Sequence, residues 1–172
     1  MRLLVTGCAG YIGATFCYEQ IKKGVDIIGV DDLSNSDLKT VELIKNLSPG
    51  RFKFIKESIL EKEKILNQID PQKKIDAIFH FAALKSIPES EKNPKLYFEN
   101  NVTGTQQLVQ VAKKLKIKKF IFSSSAAVYG DKSVQPIDEN QIPDPKNIYA
   151  ETKMLSEELI MNAAQKKIFK AI

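Results

Sequence analysis

The 172-residue sequence predicts an α/β fold, a doubly wound parallel sheet, on three observations. An apolar run, a glycine-spaced loop, a helical pattern and a second apolar run ending in aspartate follow one another from Met1 to Asp31, the order and length of one βαβ unit. Strand-like and helix-like stretches then alternate to the end of the chain. The strand candidates are unbroken apolar runs, as in strands covered on both faces.

The first strand is Leu3-Leu4-Val5, leading into Thr6-Gly7-Cys8-Ala9-Gly10-Tyr11-Ile12-Gly13. A helix follows and stops at Gly24, and Val25 to Val30 is the second strand. Gly7, Gly10 and Gly13, spaced G-x-x-G-x-x-G, let the chain turn sharply and let a diphosphate approach the backbone. The helix that starts there points unpaired N–H groups and a partial positive charge at that anion. Asp31 falls near the roughly 20-residue spacing at which a carboxylate meets the adenosine ribose hydroxyls, which favours NAD over the 2'-phosphorylated NADP.

Beyond Asp31, Ser36 is placed to cap a helix from Asp37 to about Leu47, with Val41, Leu43 and Ile44 inward. Ser48-Pro49-Gly50 stops it, and Phe52 to Ile55 is the third strand. Leu60 to Ile69 reads as a short helix with Ile65 and Leu66 facing in, and Ile75 to Phe81 as the fourth strand. Asn93-Pro94 opens a long helix to about Leu115, its apolar face interrupted by Asn100, Asn101, Thr103 and Gly104. Lys119 to Ser123 is the fifth strand, and Gly130 to Asn147 a long proline-bearing loop of the kind that is usually functional. A last helix spans about Tyr149 to Ala164, and Ile168 to Ile172 begins a sixth strand.

Composition narrows the function classes. Hydrophobic content of 43% and charged content of 27% suit a globular chain of one domain. The net charge of +5 comes from scattered lysine pairs without interleaved aromatics, so nucleic-acid binding gains no support. No apolar run reaches the roughly 20 residues of a membrane span, and the apolar N-terminus reads as a strand rather than a signal peptide. Two separated cysteines, Cys8 and Cys17, read as reduced thiols of a cytoplasmic protein. With the single His80 they make no metal set, and His80 itself reads as a packed strand-end residue.

A second constellation lies at the end of the fifth strand, Ser123-Ser124-Ser125, followed by Tyr149-x-x-x-Lys153. Ligands of doubly wound sheets sit beyond the carboxyl ends of the strands, where Ser125 falls. Tyr149 and Lys153 stack on one helical face. A phenol with a pKa of about 10 acts as a base near pH 7 only if its proton becomes about 4 kcal/mol easier to remove. An ammonium one turn away and a cationic nicotinamide both work in that direction. Tyr149, Lys153 and Ser125 are therefore the candidate catalytic residues.

These motifs resemble those of the extended short-chain dehydrogenase/reductases, and most closely the NAD-dependent nucleotide-sugar 4-epimerases among them. The resemblance runs through Thr6-Gly7-x-x-Gly10-Tyr11-Ile12-Gly13, Asp31-Asp32-Leu33-Ser34-Asn35-Ser36, His80-Phe81-Ala82-Ala83-Leu84-Lys85-Ser86, Asn100-Asn101-Val102-x-Gly104-Thr105, the serine cluster and Tyr149-x-x-x-Lys153. It implies a Rossmann fold that binds NAD and acts on a UDP-sugar. Tyr11 and Ile12 would donate to the diphosphate, Asp31 through Ser36 line the ribose, and Ser58 and Ile59 hold the adenine. Phe81 to Lys85, Asn100 and Ser123 would flank the rest of the cofactor. Tyr149 would take the proton of the sugar 4-hydroxyl, assisted by Ser125, both touching substrate, while Lys153 grips the nicotinamide ribose. Related dehydratases place an acid pair where this chain has Ala126-Ala127. Three residues depart from the family pattern: Cys8, expected to crowd the glycine loop, and Ser58 and Ala127, each expected to weaken a ligand contact. The resemblance further implies pairing of two chains through the long helices. It also implies that residues 1–172 are the NAD-binding Rossmann domain alone, cut within its sixth strand, with the C-terminal substrate domain absent. Another nucleotide-sugar epimerase or dehydratase, or a non-catalytic NAD-binding module, remain the alternatives.

Overall fold

The fold comes from a computed structural model, which describes residues 1–131 and 135–172. Six parallel strands run β1 (Arg2–Thr6), β2 (Asp26–Val30), β3 (Phe52–Ile55), β4 (Ala77–His80), β5 (Lys119–Phe122) and β6 (Lys170–Ala171). Their order across the sheet is β3-β2-β1-β4-β5-β6, so the direction of winding reverses between β1 and β4. Register is fixed by pairs such as Thr6 with Val30 and Thr6 with His80, which bring the ends of three strands level.

Alternate residues of each strand point to opposite faces, so the unbroken apolar runs build two cores. Leu4, Ile28, Val30, Ile55, Ile78 and Phe120 face α3 (Lys62–Asn67), α6 (Gly104–Lys114) and α7 (Ile148–Gln165). Leu3, Val5, Ile27, Phe52 and Ala77 face α1 (Tyr11–Lys22) and α2 (Leu38–Leu47). Each fully buried Leu or Ile contributes about 1.5–3 kcal/mol.

Several expectations need correction. Asp37, not Ser36, caps α2, its carboxylate accepting the Lys39 N–H at 2.9 Å. The Ser36 hydroxyl instead donates to Asp31. Leu43, expected inside, is 69% exposed, because only Val41 and Ile44 of α2 reach the sheet. The segment after Lys85 holds an unexpected helix, α4 (Ile87–Lys92), whose N-cap Ser86 accepts the Glu89 N–H. The long helix that follows is α5 (Pro94–Tyr97), a π-helical stretch Phe98–Thr103, and α6, and the Asn93 side chain does not cap it. The cap of α7 is Asn147, whose side chain accepts the Ala150 N–H at 2.8 Å. Of the long loop expected from Gly130 to Asn147, residues 132–134 lie outside the described part.

Candidate functional site

The reversal point of the sheet opens a crevice of about 240 Å³ above the ends of β1, β2 and β4. Its floor is the loop joining β1 to α1. Gly7 sits at φ +68°, and a side chain there would strike the Ala82 backbone at 2.6 Å. A Cβ at Gly13 would lie 2.1 Å from the Gly7 carbonyl oxygen, so the first turn of α1 can close against the loop only without one. Gly10 is the N-cap and no side chain caps the helix, which leaves the first-turn N–H groups facing the crevice. That arrangement suits an anion.

Cys8 does not crowd this loop. Its side chain is fully buried on the α1 side of the sheet, in the space that Gly29 leaves open, where an added Cβ would meet the thiol sulphur at 2.6 Å. Burial pushes its pKa far up, and pushes that of Cys17 to about 12, so both thiols stay protonated.

Asp31 organises the second wall. One carboxylate oxygen accepts the Ala9 N–H at 3.0 Å, while the other accepts the Leu33 N–H at 2.9 Å and the Ser36 hydroxyl at 2.8 Å. A carboxylate has about four acceptor positions, so one remains for a ligand hydroxyl. Leu33 pays for this tight turn with a φ of 63°.

The crevice brings together Gly7, Gly10, Tyr11, Ile12, Gly13, Asp31, Asp32, Ser34, Asn35, Ser36, Ile59, Phe81, Ala82, Ala83, Leu84, Lys85 and Asn100, with Val30 and Glu57 in addition. Leu33 and Ser58 are not on its wall: the Ser58 hydroxyl accepts the Leu60 N–H. Ser123, Ser125, Tyr149 and Lys153 stand apart from that lining, at the end of β5 and the start of α7. There the Lys153 ammonium donates to the Ser123 carbonyl at 2.8 Å and lies 4.6 Å from the centre of the Phe122 ring. Burial lowers its pKa to about 8, with the nearby Glu157 opposing the shift. Ser125 caps a short 3-10 turn, Ala126–Tyr129, by accepting the Ala127 N–H.

Between the two regions runs a buried polar chain that sequence reasoning missed. The Thr105 hydroxyl donates to the Asn101 carbonyl at 2.6 Å, so its oxygen accepts the His80 Nε2–H at 3.0 Å. That leaves His80 Nδ1 to accept the Thr6 hydroxyl at 2.7 Å. Asn101, 2% exposed, clasps both backbone groups of Leu84 and also donates to the Thr152 hydroxyl. The crevice wall is thereby tied to α7. The π-helical stretch makes this possible: π-turns recur at functional sites, and here neighbouring residues serve different ends, Asn100 the crevice and Asn101 the interior.

Strand order, winding reversal and crevice define a Rossmann-type domain. The family model for GDP-mannose 4,6 dehydratase matches residues 4–172. The chain belongs to that family. It is 37% identical over 166 residues to a UDP-glucose 4-epimerase of Haemophilus influenzae, covering 96% of this chain and 49% of that protein. It is similar to the crystal structure of a UDP-glucose 4-epimerase from Bifidobacterium longum in complex with NAD+ and UDP, with a TM-score of 0.90, 32% identity and coverage of 99% of this chain and 51% of that one. It is likewise similar to an epimerase from Stenotrophomonas maltophila with bound NAD and formylated UDP-arabinopyranose, with a TM-score of 0.89 and 36% identity. The chain spans about half the length of these relatives.

Proposed function

We propose that this chain is the NAD-binding part of a UDP-glucose 4-epimerase. The observation that carries the reading is the crevice itself: an uncapped helix terminus opens on it, and Asp31 stands across from that terminus with an acceptor position spare. The first-turn N–H groups of α1 would hold the diphosphate, and Asp31 the adenosine ribose. Bound NAD supplies a hydride acceptor that oxidises the sugar at C4 and returns hydride to its other face. Tyr149 takes the 4-hydroxyl proton and gives it back, and Ser125 shares that proton. Lys153, held by Ser123, keeps a positive charge one turn from the phenol.

The family model is named for a dehydratase, a chemistry that needs an acid pair in this part of the site. Ala126 and Ala127 offer no titratable group. Epimerisation is therefore favoured over dehydration.

Calorimetry with NAD and NADP tests the cofactor. NAD should bind, and NADP at least about tenfold more weakly because its 2'-phosphate meets the Asp31 carboxylate. Equal affinity would remove Asp31 from its role. The reaction is tested in a fusion of this chain with the C-terminal half of the Haemophilus influenzae relative, its folding checked by thermal melting. Conversion of UDP-galactose should appear and fall at least about a hundredfold in Tyr149→Phe. A folded fusion that binds NAD yet converts nothing would refute the epimerase reading and leave the cofactor reading standing.

A further inference from the structure

The helix that carries Tyr149 and Lys153 is held at its start by a different helix. At the N-terminus of α7 the first three N–H groups need partners outside the helix. Asn147 supplies one, for Ala150. The other two come from α4, more than fifty residues earlier in the chain. Glu91 Oε1 accepts the Ile148 N–H at 2.9 Å, and Ser90 Oγ accepts the Tyr149 N–H at 3.2 Å. Ser90 is fully buried, and its own proton goes to the Ile87 carbonyl at 2.7 Å, so its oxygen can meet Tyr149 only as an acceptor. The Glu91 carboxylate adds negative charge at the positive end of the α7 dipole.

α4 is itself joined to the crevice. It begins directly after the wall Phe81–Lys85, and its N-cap Ser86 gives its N–H to the buried Tyr97 hydroxyl at 2.9 Å, which donates onward to Glu89 at 2.9 Å. The crevice wall and the first turn of α7 are thus both tied to α4, the latter through the side chains of Ser90 and Glu91.

We propose, resting on the function above, that Ser90 and Glu91 are positioning residues: they set the register of the Tyr149 backbone, and hence of its phenol and of Lys153, against the nicotinamide half of the dinucleotide. They touch neither ligand nor reacting atoms. Losing both leaves two helix N–H groups without their acceptors and frees the first turn of α7 to move, whereas the adenosine end, held by Asp31 on the other side of the crevice, is untouched.

The test compares NAD with AMP, which reaches only the adenosine end, by calorimetry on the whole chain. In Ser90→Ala/Glu91→Ala, NAD affinity should fall about tenfold while AMP affinity stays within about twofold, because misplacement is confined to the nicotinamide side. Glu91→Gln, whose amide oxygen still accepts the Ile148 N–H, should bind NAD nearly as the parent does. Unchanged NAD affinity in the double variant overturns the inference, and so does a parallel loss of NAD and AMP with a lowered melting temperature, which marks a merely structural role. Failure of the parent chain to bind NAD while still binding AMP sinks the proposed function instead.

Discussion

His80 shows how much a single buried group can govern. It is 1% exposed, with both ring nitrogens engaged by hydroxyls, and burial together with the positive Lys153 lowers its pKa from 6.5 to about 3. The folded protein therefore holds it neutral, Nε2 donating to Thr105 and Nδ1 accepting from Thr6. As pH falls below 6.5 the unfolded chain takes up a proton that the folded chain refuses until about pH 3, so stability present above pH 6.5 is lost progressively in that window. By pH 4.5 the loss from this one residue is about 3 kcal/mol. Urea unfolding at pH 7 and 4.5 should show it: His80→Gln starts less stable at pH 7 yet loses about 3 kcal/mol less on acidification than the parent. Equal losses in the two proteins would mean that His80 is not the acid-sensitive group. The same scale explains Cys8, whose thiol enters the core only because position 29 is glycine, a pairing of distant residues that one sequence does not disclose.

Among the elements, the π-helical stretch Phe98–Thr103 is where two functions meet. The Asn101 side chain accepts the Leu84 N–H at 2.9 Å and donates to the Leu84 carbonyl and the Thr152 hydroxyl at 3.0 Å each. Asn101→Ala leaves those groups unpaired in a largely dry setting, which should cost about 2–4 kcal/mol in chemical denaturation, well above an ordinary surface change. A loss under about 0.5 kcal/mol would show that water replaces the amide. Polar residues on an apolar helical face were legible in the sequence as an interruption, but not as a π-turn, because the extra residue per turn depends on which tertiary partners claim each carbonyl. Helix α4 escaped for a different reason. Its capping pattern, Ser86-Ile-Pro-Glu89, was present, yet six residues are too few for a hydrophobic period to show. Two expected caps failed: Asp37 took the role expected of Ser36, whose hydroxyl Asp31 claims across the loop, and Asn93 opens its helix without a side-chain cap.

For the molecule as a whole, the fold class and the first βαβ unit were legible because local signals agree there: strand, glycine spacing, helix and acid fall in one order. The order of the strands across the sheet was not, since pairing joins segments such as β1 and β4 that lie far apart in sequence. The candidate site divides in the same way. Residues on loops that carry a local spacing, among them Gly7, Gly10, Gly13, Asp31, Asp32 and Ser34 to Ser36, lie along one crevice, while Val30 and Glu57 enter it only through the register of neighbouring strands. This division bears on activity. The crevice lining reaches Lys85 and Asn100 and does not include Ser125 or Tyr149. Transition-state stabilisation draws on contacts with parts of the substrate remote from the reacting carbon, which in the proposed reaction means the uridine diphosphate. The relatives it matches are about twice as long as this chain. On the proposed function, residues 1–172 expressed alone, whose crevice lining omits Ser125 and Tyr149, should bind NAD but convert UDP-galactose at least about a thousandfold more slowly than a relative of twice the length assayed alongside. A coupled assay of UDP-glucose formation, run with saturating NAD and checked against the Tyr149→Phe form, decides this; a rate within tenfold of the relative's would mean that the residues holding the sugar nucleotide already lie within these six strands and their loops.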